Sequence, residues 1–369
     1  MKIKLSNSTI ELLVITFIAI IGTFIYAYVS YVIITDTFPD SAISIWKAWD
    51  TQHYLNIAKE GYSNSTLNEK HLLIAFFPLY PIVIKIFSLL FQNYLLSALL
   101  VSNIAYIFAV FYLYKLVRLD FEKDDALRSI IYFSIFPTAY FLHAAYTESL
   151  FLALTIASFY YARKQRWAVS GTLGMLSAMT RVTGIIILPI LLIEYLYLKE
   201  FKKENVKKDI LWILVIGLGL LAYLVINYMT YGDPFKFLEI QKGHWGMHLS
   251  LPTEGFFNAL SSTNWRDPAD TMSLGWLQLV FAILGLVLTI YCFFRLRLSY
   301  SLYALANWLV LTSTSFWISI PRFMLTLFPI FIVLALLGKR KEINYSIIFL
   351  SILFYAFFLL RLVRSQWAF

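Results

Sequence analysis

Asp50 is the first residue of this chain whose surroundings suggest chemistry. It follows Trp46 and Trp49 and precedes Gln52, His53 and Tyr54. Trp46, Trp49, His53 and Ile57 recur at three- and four-residue steps, which predicts one apolar face of a helix lying on a membrane surface. Asp50 falls near that face. A carboxylate among aromatics loses hydration, which makes its ionised form a better proton acceptor and therefore a candidate general base. The alternative for a single aspartate is a helix N-cap or a solvated loop charge.

Three more charges interrupt apolar sequence. Glu148, in Tyr146-Thr147-Glu148, separates the apolar runs 129–145 and 149–162. A charge at the centre of a membrane span costs about 2.5–3.5 kcal/mol, so this turn must meet water or a cavity. Its alternative is a capping turn, with Thr147 as N-cap and Glu148 in the first helical turn. Arg181 stands in Thr180-Arg181-Val182-Thr183-Gly184, and Arg322 in Ser319-Ile320-Pro321-Arg322-Phe323. A guanidinium holds phosphate in a bidentate fork, so the two arginines are candidates for an anionic partner. Snorkelling toward lipid headgroups is the alternative.

A further segment, Gly232 to Trp245, mixes aromatic, basic and amide side chains, and Lys242, His244 and Trp245 are candidates for sugar contacts. His244 and His248 are four apart, but Gly243 and Gly246 argue against a helix there, and no carboxylate completes a ligand set. A metal site is therefore not expected. His143 lies in an apolar run and is expected to be a packing histidine. Neither a Walker loop nor a Gly-x-Gly-x-x-Gly run occurs, so no soluble nucleotide cofactor is expected.

The elements that must position these residues follow from composition. The chain has 369 residues, 60% hydrophobic and 14% charged. Soluble proteins carry about 25% charged residues. The mean hydropathy is +0.73. So much apolar surface needs a bilayer as its solvent, and 25 Tyr and 10 Trp suit two interfacial belts. The net charge of +9 falls in short clusters between apolar runs, which sets topology and does not indicate nucleic-acid binding. A single cysteine, Cys292, excludes a disulfide framework within the chain and a Cys-rich metal site.

The expected fold is all-α and polytopic. Apolar runs predict about eleven spans: residues 12–34, 94–117, 129–145, 148–162, 167–181, 183–198, 210–230, 273–294, 300–317, 322–338 and 343–361. The first is too long for a signal-peptide core and is expected to be retained. Residues 77–91 are apolar but hold Pro78, Pro81 and Lys85. If they lie in the interface, then starting inside with Lys2 and Lys4 every basic cluster falls inside: Arg118/Lys123/Arg128, Arg163/Lys164/Arg166, 199–208, Arg295/Arg297 and Lys339/Arg340/Lys341. The positive-inside rule therefore favours an interfacial helix. Residues 1–369 then form one membrane domain. Its outer loops, 35–76 and 231–272, carry the candidate chemistry, and the C-terminus also lies outside.

These residues resemble a known family. Trp49-Asp50-x-x-His53-Tyr54-x-x-Ile57-Ala58-x-x-Gly61-Tyr62, then Phe76-Phe77-Pro78-Leu79-Tyr80-Pro81, is similar to the first luminal loop of the PIG-V-type mannosyltransferases. Those are the GPI second-mannose transferases and their prokaryotic relatives. Phe136-Pro137, Tyr146-Thr147-Glu148-Ser149, Thr180-Arg181-x-x-Gly184, Gly232-Asp233-Pro234, Gln241 to Trp245, and Pro321-Arg322-Phe323 with Phe328-Pro329 continue the resemblance in order along the chain.

The resemblance implies a GT-C fold with its active site on the extracytoplasmic face of a multi-pass membrane protein, in the cell membrane if the source is prokaryotic. It implies a polyprenyl-phosphate sugar donor, most simply of mannose, and a lipid or glycan acceptor. The chain lacks the longer loops of the eukaryotic members, so their GPI acceptor is not carried over. Asp50 would take the acceptor proton, Arg181 and Arg322 would hold the donor phosphate, and Trp49, His53, Tyr54, Tyr146, Glu148, Lys242, His244 and Trp245 would contact substrate. No cofactor is required, because the leaving group carries no pyrophosphate for a divalent metal to neutralise. Two other readings are a flippase for lipid-linked sugars and a non-catalytic subunit of a glycosylation complex. Polar residues gathered at one face, not at the midplane, disfavour a transporter.

Overall fold

The computed structural model describes residues 7–62 and 70–368. Lys2 and Lys4, from which the expected orientation starts, lie outside the described residues. Among the described residues the secondary structure is helical, apart from an isolated bridge between Leu249 and Thr314.

The first half of the chain forms α1 (Asn7–Thr35), α2 (Thr51–Glu60), α3 (Leu79–Phe91), α4 (Tyr94–Val117), α5 (Lys123–Ile135), α6 (Glu148–Arg163), α7 (Trp167–Ala178) and α8 (Ile187–Leu198). The second half forms α9 (Leu211–Leu214), α10 (Ile216–Tyr231), α11 (Lys236–Trp245), α12 (Pro252–Ser262), α13 (Pro268–Asp270), α14 (Leu277–Arg295), α15 (Leu298–Thr312), α16 (Ile320–Phe323), α17 (Pro329–Leu337) and α18 (Lys341–Val363). Helix α4 packs between α3, α5 and α6; α7 joins α6 to α10; α14 packs on α15 and α17; and α1 packs on α18.

Local sequence explains the boundaries that matter. Asn93 caps α4, its side chain accepting from the Leu96 N–H at 3.0 Å. Helix α5 opens with Asp124 and Asp125 in its first turn and stops before Pro137, where Phe136 is extended at φ −53°, ψ 145°. The expected span 129–145 is therefore broken. A 3-10 turn, Ala139–Leu142, follows the break and leads into the turn before Glu148. The expected span 322–338 is also broken: Ile320–Thr326 and Pro329–Leu337 meet at 89°. Pro329 opens α17 at its first position, where a missing N–H is harmless.

Among the described residues five helices are long and apolar enough to cross a membrane, or six if the bent pair is one span. They are Ser8–Thr35, Tyr94–Val117, Lys208–Tyr231, Pro268–Arg295 and Lys341–Val363. The other expected spans correspond to shorter helices, such as α6 with 16 residues and α7 with 12. At 1.5 Å per residue these reach only about 18–24 Å, less than the ~30 Å hydrocarbon core.

Ion pairs divide the bundle into two ends. At one end Lys123 meets Glu11 at 2.6 Å, Arg163 clamps Asp120 at 2.6 and 2.7 Å, Lys339 meets Asp125 at 2.9 Å, and Arg297 clamps Glu194. The starts of α1, α5 and α15 therefore share this basic end with the finishes of α4, α6, α8, α14 and α17. Glu148 starts α6 and Arg163 ends it, so Glu148 stands about 22 Å away, at the opposite end. The segment after α18 lies beside Glu148's end, because Trp367 packs on Trp49.

Candidate active site

The loop that carries Asp50 is not one continuous helix. Trp46 ends a 3-10 turn and is buried, whereas Trp49 is 43% exposed and left-handed at φ +51°. Trp46 and Trp49 therefore do not share a helical face with His53 and Ile57, as their spacing suggests. The left-handed backbone costs a non-glycine residue about 1–2 kcal/mol. It turns the chain so that Asp50 becomes the residue before α2. Asp50 holds the N-cap position yet makes no side-chain cap. Its backbone carbonyl accepts from the N–H groups of His53 and Tyr54 at 3.0 and 3.3 Å, and its carboxylate turns away to Arg322.

Four charges then converge from distant parts of the sequence. Arg322 Nη1 donates to Asp50 Oδ2 at 3.1 Å, across 272 residues, and Arg322 Nε donates to Glu148 Oε1 at 2.6 Å. Arg181 Nη1 donates to the same Glu148 oxygen at 2.7 Å and to Thr147 Oγ1 at 3.0 Å. Glu148 is fully buried and Arg322 is 6% exposed, while the Asp50 side chain is 31% exposed. Asp50 thus opens to solvent more than an aspartate among aromatics would, and its main neighbour is a guanidinium. Burying an unpaired carboxylate costs several kcal/mol, roughly, which explains why Glu148 takes two arginines. The other Glu148 oxygen, Oε2, is buried without a hydrogen-bond partner among the described residues.

Neighbouring elements fix this geometry. The Arg322 guanidinium lies over Tyr146 at 4.6 Å and Phe141 at 4.9 Å, and Arg181 lies over Phe323 at 5.1 Å. Thr138 donates to the Pro321 carbonyl at 2.9 Å, and Gln278 accepts from the Ile320 N–H at 2.9 Å, which anchors α16. Arg181 sits in a turn closed by the Gly184 N–H to its carbonyl at 2.9 Å. A Cβ on Gly184 would come within 2.5 Å of backbone atoms at Ser177 and Ala178, so this close approach needs glycine. The capping alternative for Thr147 and Glu148 is half met: Thr147 precedes α6 but makes no cap bond, and its hydroxyl serves Arg181.

The remaining predicted residues distribute unevenly. His53 stacks on Phe76 with ring centres 4.8 Å apart, and Phe76 meets Trp245 edge-on at 6.3 Å, which ties the second outer loop to the first. Tyr54 and Tyr146 are buried behind the charges. The Tyr146 hydroxyl donates to the Ala48 carbonyl at 3.2 Å and props the Asp50 loop. Burial first, and then the negative charge of Asp50, push the Tyr54 phenol above its ordinary value, so it stays neutral. Lys242 and His244 are exposed on α11, and among the described residues neither hydrogen-bonds or ion-pairs with the four central charges.

Gly243 lies inside α11, but the helix ends at Gly246, left-handed at φ +66°, so His244 and His248 do not share a helix, as the glycines suggested. His248 Nε2 stands 3.5 Å from Glu254 Oε1. Among the described residues no group of three or more His, Cys, Asp and Glu could hold a metal. His143 packs as expected, with Nδ1 2.9 Å from Asn103 Oδ1 and its ring against Tyr106.

Sequence reasoning missed Trp367. Its ring meets Trp49 edge-on at 5.2 Å, beside Asp50. The signal was a lone tryptophan after an apolar run, which reads as an interfacial anchor.

Comparison with known proteins bears on this arrangement. Residues 77–228 match the dolichyl-phosphate-mannose-protein mannosyltransferase family. The chain is 32% identical over 155 residues to GPI alpha-1,6-mannosyltransferase 2 of Mus musculus, covering 39% of this chain and 30% of that protein. It is 28% identical over 202 residues to the Rattus norvegicus protein of the same description, covering 52% of this chain and 39% of that one. The matches thus span well under half the length of these relatives. Among solved structures, ArnT from Cupriavidus metallidurans bound to undecaprenyl phosphate aligns with a TM-score of 0.56 and 12% identity, over 89% of this chain and 61% of that one. The two chains share a fold. The family model and both curated relatives are mannosyltransferases, and each matches only part of this chain.

Proposed function

We propose that this protein is an inverting glycosyltransferase that moves a hexose, mannose by family precedent, from a polyprenyl-phosphate donor to a hydroxyl acceptor. The observation that carries the reading is the convergence of Asp50, Glu148, Arg181 and Arg322. With all four ionised the group is neutral, so an incoming phosphate competes for guanidinium N–H groups already oriented by Glu148. Each guanidinium offers five such donors. Arg322 bonds through Nε and Nη1, and Arg181 through Nη1, so donors remain for phosphate.

In the reaction the acceptor hydroxyl attacks the anomeric carbon from the face opposite the phosphate. Asp50 accepts the hydroxyl proton as the new C–O bond forms. The bond from the anomeric carbon to the phosphate oxygen breaks, and polyprenyl phosphate leaves with the electron pair. Arg181 and Arg322 stabilise the charge that develops on the leaving phosphate. Trp49, His53 and Trp245 provide aromatic and hydrogen-bonding surface for sugar; Tyr54 and Tyr146 support the loop from behind. The step needs no divalent metal, because two guanidinium groups meet a single phosphate.

The same reading extends to topology. The chain forms one GT-C membrane domain, with loops 35–76 and 231–272 making the catalytic face on the extracytoplasmic side. It crosses about eleven times, with short helices tilted or meeting thinned lipid. Helix α3 stays on the catalytic side as an interfacial helix. In support, Leu79 donates to the Met179 carbonyl at 3.1 Å, close to Arg181, and Tyr80 reaches Ala98 and Ser102 in the outer part of α4.

The test is to incubate the purified chain with synthetic polyprenyl-phosphate mannose and a panel of glycolipid acceptors, then analyse products by mass spectrometry. The reading predicts free polyprenyl phosphate and a hexose added to one acceptor class. Donor moved across a vesicle but left uncleaved would instead identify a flippase. No consumption unless a partner protein is present would identify a subunit.

A further inference from the structure

Arg361 stands in the last turn of α18, at the end of the bundle that carries Glu148, and is 9% exposed. Among the described residues it makes no ion pair, and its side chain makes no hydrogen bond. Its Nε is sealed inside the protein without a partner, whereas Nη1 and Nη2 are not sealed and reach the surface. Its electrostatic neighbours are Tyr140 and Asp270. The Tyr140 hydroxyl is committed to the Ala368 carbonyl. Asp270 is exposed to water and does not approach to ion-pair distance. Neither Asp50 nor Glu148 acts on Arg361, so it stands apart from the charges of the candidate active site.

The helix places Arg361 against lipid. Leu350 and Phe357 lie on the same side of α18 as Arg361 and are 49% and 38% exposed. On a helix long and apolar enough to cross a membrane, this side meets hydrocarbon. Arg361 therefore sits where an apolar stripe reaches the membrane surface. A guanidinium buried without an opposite charge is costly, and near a bilayer it finds its partner in the protein or in a lipid headgroup. The protein supplies none here. Topology does not account for the charge either, because the basic clusters gather at the other end, around Lys123, Arg163, Arg297 and Lys339. Arg364, by contrast, is exposed and needs only water. Beyond α18 the chain folds back over Arg361. The Gln366 N–H donates to the Arg361 carbonyl at 2.9 Å, and Trp367 meets Trp49 beside Asp50.

We propose that Arg361 anchors one anionic phospholipid of the surrounding bilayer, whose phosphate accepts from Nη1 and Nη2 and whose acyl chain lies along Phe357 and Leu350. The planar fork of a guanidinium matches two phosphate oxygens, and the single charge of a phosphodiester matches the single unpaired charge of Arg361. The lipid is a bilayer phospholipid and not the sugar donor, because the donor phosphate has its place at Arg181 and Arg322. By holding Arg361 it also braces the segment that carries Trp367 to Trp49. This lipid site stands whether or not the chain transfers sugar.

The experiment measures thermal unfolding of the full chain, stripped of lipid in neutral detergent. Short-chain phosphatidylglycerol, short-chain phosphatidylcholine or polyprenyl phosphate is then added at constant ionic strength. A ligand that binds the folded state raises the unfolding temperature as its concentration passes its dissociation constant. The wild-type chain is expected to gain from phosphatidylglycerol and much less from phosphatidylcholine, whose net charge is zero. Arg361→Met keeps an apolar stem and removes the unpaired charge. Without lipid it unfolds at or above the wild-type temperature. Its apparent affinity for phosphatidylglycerol falls about tenfold or more, the share of one charge-assisted hydrogen bond, while its response to polyprenyl phosphate is kept. Arg364→Gln removes an exposed charge at the same membrane face and keeps the response to phosphatidylglycerol. No wild-type response to phosphatidylglycerol, an equal response to phosphatidylcholine, an unchanged response in Arg361→Met, or its loss in Arg364→Gln overturns the site. A lower lipid-free unfolding temperature in Arg361→Met also overturns it, because the charge would then have a partner within the protein. Loss of the polyprenyl phosphate response in Arg361→Met overturns it as well, and gives the residue to that lipid instead.

Discussion

Glu148→Gln isolates the charge that holds the two arginines. The change keeps the shape of the side chain and its acceptor oxygen but removes its charge. Glu148 Oε1 accepts from Arg322 Nε at 2.6 Å and Arg181 Nη1 at 2.7 Å, with the side chain fully buried. The two hydrogen bonds persist, because the guanidinium donors stay charged and the glutamine carbonyl still accepts; what is lost is the ionic attraction. The two guanidinium groups then share only the Asp50 charge, and breaking a buried ion pair costs about 3–5 kcal/mol in total. The folded state should therefore lose about 3–5 kcal/mol. Polyprenyl phosphate should restore part of that loss, since its phosphate supplies the missing anion. Thermal unfolding of the purified protein, followed by tryptophan fluorescence with and without polyprenyl phosphate, measures both effects. The expected result is a lower unfolding temperature and a larger stabilisation by polyprenyl phosphate than in the wild type. If Glu148→Gln unfolds at the wild-type temperature, or gains no more from polyprenyl phosphate than the wild type does, Glu148 is not what organises the arginines.

Arg181→Lys keeps the charge but loses the planar fork, so the donor KM should rise at least tenfold, about 1.4 kcal/mol, with a smaller change in kcat. Steady-state kinetics in donor concentration would show it, and an unchanged KM would remove Arg181 from phosphate binding. Gly184→Ala forces a Cβ to within 2.5 Å of backbone atoms at Ser177 and Ala178. Overpacking of this kind costs about 1–3 kcal/mol and should displace the Arg181 turn, lowering both stability and donor affinity. The transfer rate should be unchanged by a saturating divalent-metal chelator, and a loss restored by added metal would show that the two guanidinium groups are not enough.

The charges of the candidate site were legible for one physical reason. Glu148, Arg181 and Arg322 are charges in apolar sequence, and a buried charge must find an opposite charge. Asp50 was legible from its aromatic neighbours, although the structure gives it a guanidinium partner and more solvent than that reasoning implied. The pairing itself, across 272 residues between Asp50 and Arg322, is tertiary and leaves no local pattern. Apolar periodicity found α1 and α4 within a few residues, but it ran through the break at Phe136-Pro137, where backbone restriction outweighs hydropathy. The two glycines were legible in part: Gly246 ends α11 before His248, whereas Gly243 is accommodated inside the helix, where its cost of about 1 kcal/mol is offset by packing of α11 on the 70–75 segment. The left-handed backbone of Trp49 was not legible, since nothing in its side chain favours that conformation.

The proposed reaction turns on Asp50, which removes the acceptor proton during transfer from a polyprenyl-phosphate sugar. The direct measurement is the single-turnover transfer rate of Asp50→Asn against wild type, using polyprenyl-phosphate mannose and the acceptor that the product analysis identifies. Unfolding temperature and donor binding are checked on the same preparations. General-base assistance contributes about 10²–10⁴-fold, so a loss of that size is expected in a variant that remains folded and still binds donor. A folded Asp50→Asn protein that transfers sugar at the wild-type rate would contradict it.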